Sequence, residues 1–468
     1  MALSTVEWDA ALIDKYNASG PRYTSYPTAL EFSPAYQNEA FIQATARFPE
    51  RPLSLYVHIP FCHRLCYFCG CNKQVTRQQH KAEDYLDVLE KEIAHRAVLL
   101  SDRKVSQLHW GGGTPTFLNN AQISRLMGIL RQHFDFLPSA EISLEIDPRE
   151  IELDVLDHLH REGFTRLSMG VQDFNKEVQQ AVNRVQDEPF IFALIARAKA
   201  LGFRSTNIDL IYGLPKQTPD SFALTLQRVV ELNPDRLSVF NYAHMPSLFA
   251  AQRKIKDADL PDAATKLRIL QQSITMLTDA GYQFIGMDHF ARPDDELAIA
   301  QRAGLLHRNF QGYTTQSHNT QGIQGAQCDS DLLGLGVSAI SMIGNTYAQN
   351  EKELNTYYAQ VNAHGQALWR GMEMTADDCV RREVIKALIC HFTLDFAAIE
   401  KQFGLVFSDY FAEDLTLLAP LQQDGLVDVF DDRITVTAKG RLLIRNVCMC
   451  FDVYLRRQTT QQQFSRVI

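Results

Sequence analysis

From residue 53 to about 242 the chain repeats short runs rich in alternating apolar and polar positions, with longer amphipathic stretches between several of them. The runs SLYVHI (54–59), SQLHWG (106–111), EISLEI (141–146), RLSMGV (166–171), STNIDLIY (205–212) and RLSVFNY (236–242) have β character. The stretches 82–100, 119–134 and 219–232 carry helical periodicity. Such alternation predicts right-handed βαβ units and a parallel sheet, hence an α/β protein. Six consecutive units predict a partial (β/α)6 barrel or a wound sheet, which YQFIGMDHF (282–290) would extend.

The strands are not uniformly apolar, as strands covered on both faces should be. Ser143, Glu145 and Asp147 share one face, as do Ser168, Gly170 and Gln172, Asn207 and Asp209, and Tyr56 and His58. Polar groups there would be costly in a filled core. They predict a wet, ligand-filled lumen towards the C-terminal ends of the strands, where barrel enzymes keep their chemistry.

The flanks differ. Residues 1–50 read as an irregular N-terminal arm, with GPRYTSYPT at 20–28 and Pro21, Pro27 and Pro34 interrupting any long helix. Arg22, Tyr23 and Tyr26 make this arm richer in aromatic and cationic groups than a solvated tail. After about 360, helical stretches at 376–392 and 408–423 precede a hairpin-and-helix pattern, expected to form a small, mostly helical, winged-helix-like module. The expected organisation is therefore 1–50 as the arm over the active-site mouth, 51–360 as the barrel with its extension, and 361–468 as the C-terminal domain.

The 468 residues carry 46 Lys and Arg against 55 Asp and Glu, a net charge of −9, which weighs against a general nucleic-acid binder. No basic leader and no apolar run of about 18 residues is apparent, so neither export nor a membrane span is expected. Nothing calls for a stable oligomer, and a monomer is expected. Four of nine cysteines lie within ten residues, at Cys62, Cys66, Cys69 and Cys71. One dense cluster and an odd count suit a reducing, cytoplasmic compartment and a metal site.

The cluster lies in YVHIPFCHRLCYFCGCNK (56–73), leaving the first strand with spacing Cys-x3-Cys-x2-Cys-x-Cys. Clustered thiolates suit soft metal centres. Structural zinc normally takes four ligands in separated knuckles, and no second Cys-x2-Cys is present. A fully ligated iron–sulfur cubane would need Cys71, which follows Cys69 too closely for easy ligation of the same cluster. The spacing therefore predicts a 4Fe–4S cluster with three cysteine ligands, Cys62, Cys66 and Cys69, and one open iron. Gly111–Gly113, after the second strand, suit a close backbone approach to a ligand.

These segments resemble the radical-SAM (S-adenosylmethionine) superfamily and, within it, the oxygen-independent coproporphyrinogen III oxidase (dehydrogenase) family. The resemblance rests on GPRYTSYPT, the cysteine motif, HWGGGTPTFL (109–118), SLEIDPRE (143–150), MGVQDFN (169–175), NIDLIYGLP (207–215), IGMDHFA (285–291), GYTTQ (312–316) and NVCMCFD (446–452). It implies that the open iron chelates one SAM, with Tyr56, Gly112, Glu145 and Ile340 in contact. It implies a second SAM beside Phe68, Gly113, Thr114, Gln172, Arg184, Asp209 and Ala243. The implied reaction converts the ring A and B propionates of coproporphyrinogen III to vinyl groups, giving protoporphyrinogen IX for haem biosynthesis. A 5′-deoxyadenosyl radical removes hydrogen from the propionate β-carbon, and the substrate radical loses CO2 and one electron. A low-potential donor such as flavodoxin or ferredoxin would supply the first electron.

Propionates call for Arg or Lys, which makes Arg22, with Tyr23 and Tyr26, the candidate substrate contact and lid. Cys71 reads either as an inert packed thiol or as a proton or hydrogen donor, and His58 either as a donor to the cluster or SAM or as a structural histidine. The segment 316–331 is about ten residues longer than the family pattern and reads as a surface loop, with Cys328 lacking an obvious partner. Two rival readings stand beside this one: a haem chaperone of the same superfamily, and a nucleic-acid-binding protein with a zinc knuckle. The N-terminal tyrosines and Cys71 favour the oxidase over the chaperone.

Overall fold

The computed structural model describes residues 6–100, 102–315 and 330–457. The chain forms two compact units, one of 33–280 with 316–373 and one of 1–32, 281–315 and 374–468. The contacts thus divide the chain differently from boundaries at 50 and 360. The first 32 residues group with the C-terminal segment, and 33–50 with the barrel strands. The loop expected at 316–331 and Cys328 fall almost wholly outside the described residues.

The larger unit is built on parallel strands β1 (Leu53–Ile59), β2 (Lys104–Gly112), β3 (Asp135–Ile146), β4 (Arg166–Gln172), β5 (Ser205–Tyr212) and β6 (Arg236–Asn241). Each pairs in parallel with the next. The crossover helices include α1 (His80–Val98), α2 (Asn120–His133), α3 (Asp154–Arg161), α4 (Glu188–Leu201) and α5 (Pro219–Leu232). Capping boxes at Asn119 and Thr218 start α2 and α5 by satisfying backbone N–H groups that a first turn leaves without partners. The apolar sides of β1–β4, with Leu55, Val57, Leu108, Trp110, Leu144 and Met169, are buried.

Beyond β1 the sheet continues through β7 (Asp331–Leu335), parallel to β1, then antiparallel β8 (Ile340–Ile343), β9 (Thr346–Asn350) and β10 (Leu368–Glu373). Within this unit the strand order is β10-β9-β8-β7-β1-β2-β3-β4-β5-β6. This is an open, partial barrel. Its extension runs to residue 373 rather than 360, because β10 pairs with β9 and Gly371 within it bridges to Ser33.

The other unit combines helices with small antiparallel sheets. Helices Ala376–His391, Phe396–Phe403 and Ala412–Gln423 accompany a three-stranded sheet whose hairpin is Val427–Val429 with Arg433–Val436. This is the winged-helix-like module expected from the sequence. Residues 283–291 form an antiparallel pair in this unit. The arm is more ordered than expected: Ala10–Tyr16 and Asn38–Arg47 are helices, the second burying Phe41 and Ala44. The prolines limit these helices to short lengths and do not abolish them. Among the described residues no helix is long and apolar enough to cross a membrane.

Candidate functional site

The cysteine loop is closed at its base and pinned along its length. Phe61–Cys62 pairs in parallel with Gln74–Val75, Gln74 N–H donating to the Pro60 carbonyl at 2.6 Å. Between these ends, Tyr67 N–H donates to Val182 O, Asn183 Nδ2 to Leu65 O, and Gln252 Nε2 to Phe68 O. Gln252 Nε2 also donates to Ala243 O, which ties the segment after β6 to the loop. Residues from three places in the chain therefore fix where the thiols stand.

The glycine loop after β2 lies directly against it. Gly113 N–H donates to Ile59 O at 2.8 Å, and a Cβ on Gly113 would stand 2.8 Å from the Pro60 and Phe61 backbone. Gly112 has φ +112°, and a Cβ there would stand 2.5 Å from the His58 ring. Only glycine fits both demands. The Gly112 N–H turns to Glu145 Oε2 at 3.3 Å.

A cavity of about 270 Å³ opens here. Its lining brings together Cys62, Cys66, Cys69 and Cys71 with Phe68, Gly112, Gly113 and Thr114. Glu145, Gln172, Arg184 and Asp209 line it from the ends of β3–β5 and the segment after β4. Tyr56, Ala243 and Ile340 are not part of this lining. The Tyr56 ring stacks on His109 at 6.0 Å, and the His109 ring reaches Ser143 Oγ at 2.8 Å and Glu145 Oε1 at 3.5 Å. Ile340 begins β8, its backbone close to Gly334 of β7.

Cys62, Cys66 and Cys69 share one property. Each sulfur receives a donor: Thr114 Oγ1 on Cys62 at 3.5 Å, Arg149 Nη2 and Arg184 Nη1 on Cys66 at 3.3 Å each, and the Cys71 N–H on Cys69 at 3.4 Å. Donors to sulfur suit anionic thiolates and tune the potential of a cluster they hold. Cys71 stands apart, as the exposed member whose backbone supplies one of these donors. The hydrogen bond between their sulfurs holds Cys69 down, to about 6, and Cys71 well up. Gln172, at φ +68°, has its Oε1 buried with no donor among the described residues. A polar ligand in the cavity would supply one. The donor set therefore fits a three-thiolate cluster with a polar ligand beside it.

The radical SAM superfamily model matches residues 56–229, and the HemN C-terminal domain model matches 374–443. The chain is 72% identical to the oxygen-independent coproporphyrinogen III oxidase of Salmonella typhimurium and equally to that of Escherichia coli K12, over the full length of all three chains. The chain belongs to the oxygen-independent coproporphyrinogen III oxidase family. The Pseudomonas aeruginosa member is 50% identical, again over both full lengths. The solved coproporphyrinogen III oxidase (HemN) of Escherichia coli, described as a radical SAM enzyme, superposes with a TM-score of 0.91 at 71% identity. It covers 96% of this chain and 100% of its own. A radical-SAM oxidase of this family uses a 4Fe–4S cluster and SAM.

Asp147 and Arg149 are functional-site residues that the sequence did not single out as a pair. Arg149 clasps Asp147 through Nε and Nη2, and Arg184 Nη1 reaches the same carboxylate at 3.2 Å. Burial alone would raise Asp147, but Arg184 and Arg149 outweigh it and hold the carboxylate down at about 2. One carboxylate thus orients both guanidiniums onto Cys66. Asp209, half-buried on the cavity wall, has its pKa raised by burial and accepts from Ser168 and Asn207. His58 lies between Tyr56 OH at 3.2 Å and the Asn72 carbonyl at 2.9 Å, so Nε2 carries the proton. Both ring nitrogens have protein partners, which makes His58 a strut of the loop.

The arm residues sit in the other unit. Tyr23 and Tyr26 are 4% and 2% exposed. Tyr23 OH donates to Asp452, and Tyr26 OH accepts from Val453 N–H. Both rings are packed within that unit. Arg22 is partly exposed and pairs with Asp288 at 3.2 Å. Cys448 and Cys450 are buried in the C-terminal helices with their sulfurs turned to backbone carbonyls, and so form no second knuckle.

Proposed function

We propose that this chain converts the ring A and ring B propionates of coproporphyrinogen III to vinyl groups without oxygen, giving protoporphyrinogen IX in haem biosynthesis. The observation that carries the reading is the donor pattern: Cys62, Cys66 and Cys69 each accept a hydrogen bond, while Cys71 stands outside the set. It supports three thiolate ligands and one open iron. When bound, the reduced cluster supplies the electron that cleaves SAM and so provides the 5′-deoxyadenosyl radical that removes hydrogen.

The chain's own residues hold and orient. Glu145, its side chain half exposed in the cavity, accepts ribose hydroxyl hydrogen bonds of the SAM on the open iron, with Gly112 against its backbone. Phe68, Gly113, Thr114, Gln172, Arg184, Asp209 and Ala243 surround the second SAM, and Gln172 Oε1 is the acceptor still to be met. Tyr56 holds Glu145 in place through His109, and Ile340 gives the first SAM an apolar contact. Cys71, exposed at the cavity beside the three ligands, is the candidate hydrogen or proton donor near the reaction space. A flavodoxin or ferredoxin supplies electrons, and the enzyme works as a monomer in the cytoplasm.

The test is an anaerobic assay of reconstituted protein with SAM, reductant and coproporphyrinogen III. Vinyl product with 5′-deoxyadenosine supports the reading. Haem binding without propionate decarboxylation would favour the chaperone, and zinc without iron or sulfide would favour a structural knuckle.

A further inference from the structure

Lys254 and Lys256 are exposed, while Ile255 between them turns inward. Ile255 joins Val178 and Val182 in a buried apolar cluster, against which Tyr67 and Phe68 of the cysteine loop pack. The two lysines and Lys216, whose N–H donates to Asp259 O at 2.7 Å, line a second cavity of about 530 Å³. Gln180 and Ala181 line it too, at the end of the helix Lys176–Ala181.

This cavity shares no lining residue with the one that holds the four cysteines. The loop between them serves both. Phe68 lines the cavity with Glu145 and Asp209, whereas the ring of its neighbour Tyr67 lies under Lys254, with Nζ 5.4 Å from its centroid. Tyr67 follows Cys66 directly. A cluster held by Cys66 is therefore one residue from the lysine-lined face, and an electron arriving there need not cross the cavity that SAM would fill.

The amino groups on this face are free to meet a partner. Glu177 and Asp259 also line the cavity, but among the described residues no carboxylate lies within ion-pair distance of Lys216, Lys254 or Lys256. Beside them in sequence, Arg253 adds an exposed cation and Asp257 meets the His244 ring at 3.0 Å. The patch is net positive on a chain whose net charge is −9. Electron carriers bind through small, weak interfaces, and complementary charge guides their encounters. Such a face fits a partner with an acidic rim, and the half-buried Tyr67 ring offers the edge of a flavin an aromatic surface.

We propose that Lys216, Lys254 and Lys256 dock an acidic flavodoxin, whose electron reaches the cluster at Cys66. The reduced flavin gives up one electron and the oxidised cluster takes it, with no bond formed or broken. The inference rests on the proposed cluster chemistry and adds the surface through which the cluster is reduced.

The test is stopped-flow reduction of the reconstituted holoenzyme by reduced flavodoxin, read from the cluster's visible absorbance, with calorimetric titration of flavodoxin beside it. The variants are Lys216→Glu with Lys256→Glu, and the charge-keeping Lys216→Arg with Lys256→Arg. The glutamate pair should slow reduction by flavodoxin about ten-fold or more at low salt and weaken its binding. The arginine pair should stay within about two-fold of wild type, and the differences should close towards about 0.5 M salt. Dithionite, a small reductant that needs no docking, should reduce all three proteins at the same rate. A glutamate pair within two-fold of wild type would overturn the face, as would an arginine pair that falls as far, a loss shared with dithionite, or wild type that flavodoxin does not reduce. Lysine-dependent reduction in an enzyme that forms no vinyl product would keep the face and overturn the reaction.

Discussion

Arg184 places Nη1 3.3 Å from the sulfur of Cys66. The same nitrogen is 3.2 Å from Asp147, which also holds Arg149 on that sulfur. The site thus delivers two cations to one thiolate and buffers them with one carboxylate. Positive charge beside a cluster ligand favours the reduced, more negative state. Arg149→Met is therefore expected to shift the cluster's reduction potential to more negative values while iron content stays near wild type. An EPR-monitored redox titration reads this directly, and an unchanged potential would remove Arg149 from the electrostatic account.

Cys71 separates from its neighbours by chemistry. Replacing Cys62, Cys66 or Cys69 by Ala should abolish bound iron and with it all SAM cleavage. Cys71→Ala should keep the iron and SAM cleavage but lose vinyl product. Iron analysis and 5′-deoxyadenosine measured beside product would check both; loss of iron from Cys71→Ala would make it a ligand or a folding residue.

The glycine positions differ in what they tolerate. Gly112→Ala puts a Cβ into His58 at φ +112° and should cost about 1–3 kcal/mol of local strain, seen as weakened SAM binding. Gly128 lies mid-helix in α2 with nothing within 4 Å of a Cβ, so Gly128→Ala should stabilise by about 0.5–1 kcal/mol with unchanged turnover. Calorimetry and SAM-binding titrations measure both.

His391 predicts an acid-sensitive fold. Burial first, then His307 and Lys386, lower it to about 4 in the folded chain. The unfolded chain binds its proton near pH 6.5, so stability is full above 6.5 and is lost as pH falls from there towards 4. The loss at pH 5 is at most about 2 kcal/mol. Urea unfolding at pH 7 and pH 5 should show a smaller drop for His391→Gln than for wild type, and equal drops would contradict this.

Much of the site was legible because a strand has a period of two. Glu145, Gln172 and Asp209 stood out as polar residues on the ends of apolar strands, and the cysteine spacing located the loop. The Asp147–Arg149–Arg184 cluster was harder to see, because Arg149 turns back on Asp147 over two residues and Arg184 arrives from another segment. The packing of Tyr23 and Tyr26 is hidden for a related reason: their partners Asp452 and Val453 lie more than 420 residues away. Such contacts leave no local pattern. The strand past 360 leaves no local pattern either, since β10 is defined by its pairing with β9.

In the proposed reaction, hydrogen leaves the propionate β-carbon to the radical derived from SAM. The most direct measurement uses coproporphyrinogen III deuterated at those carbons, in a reconstituted anaerobic reaction, with mass analysis of 5′-deoxyadenosine and the tetrapyrrole. Deuterium is expected in 5′-deoxyadenosine together with ring A and B vinyl groups. Vinyl product with 5′-deoxyadenosine free of deuterium, or SAM cleavage with the propionates intact, would contradict it.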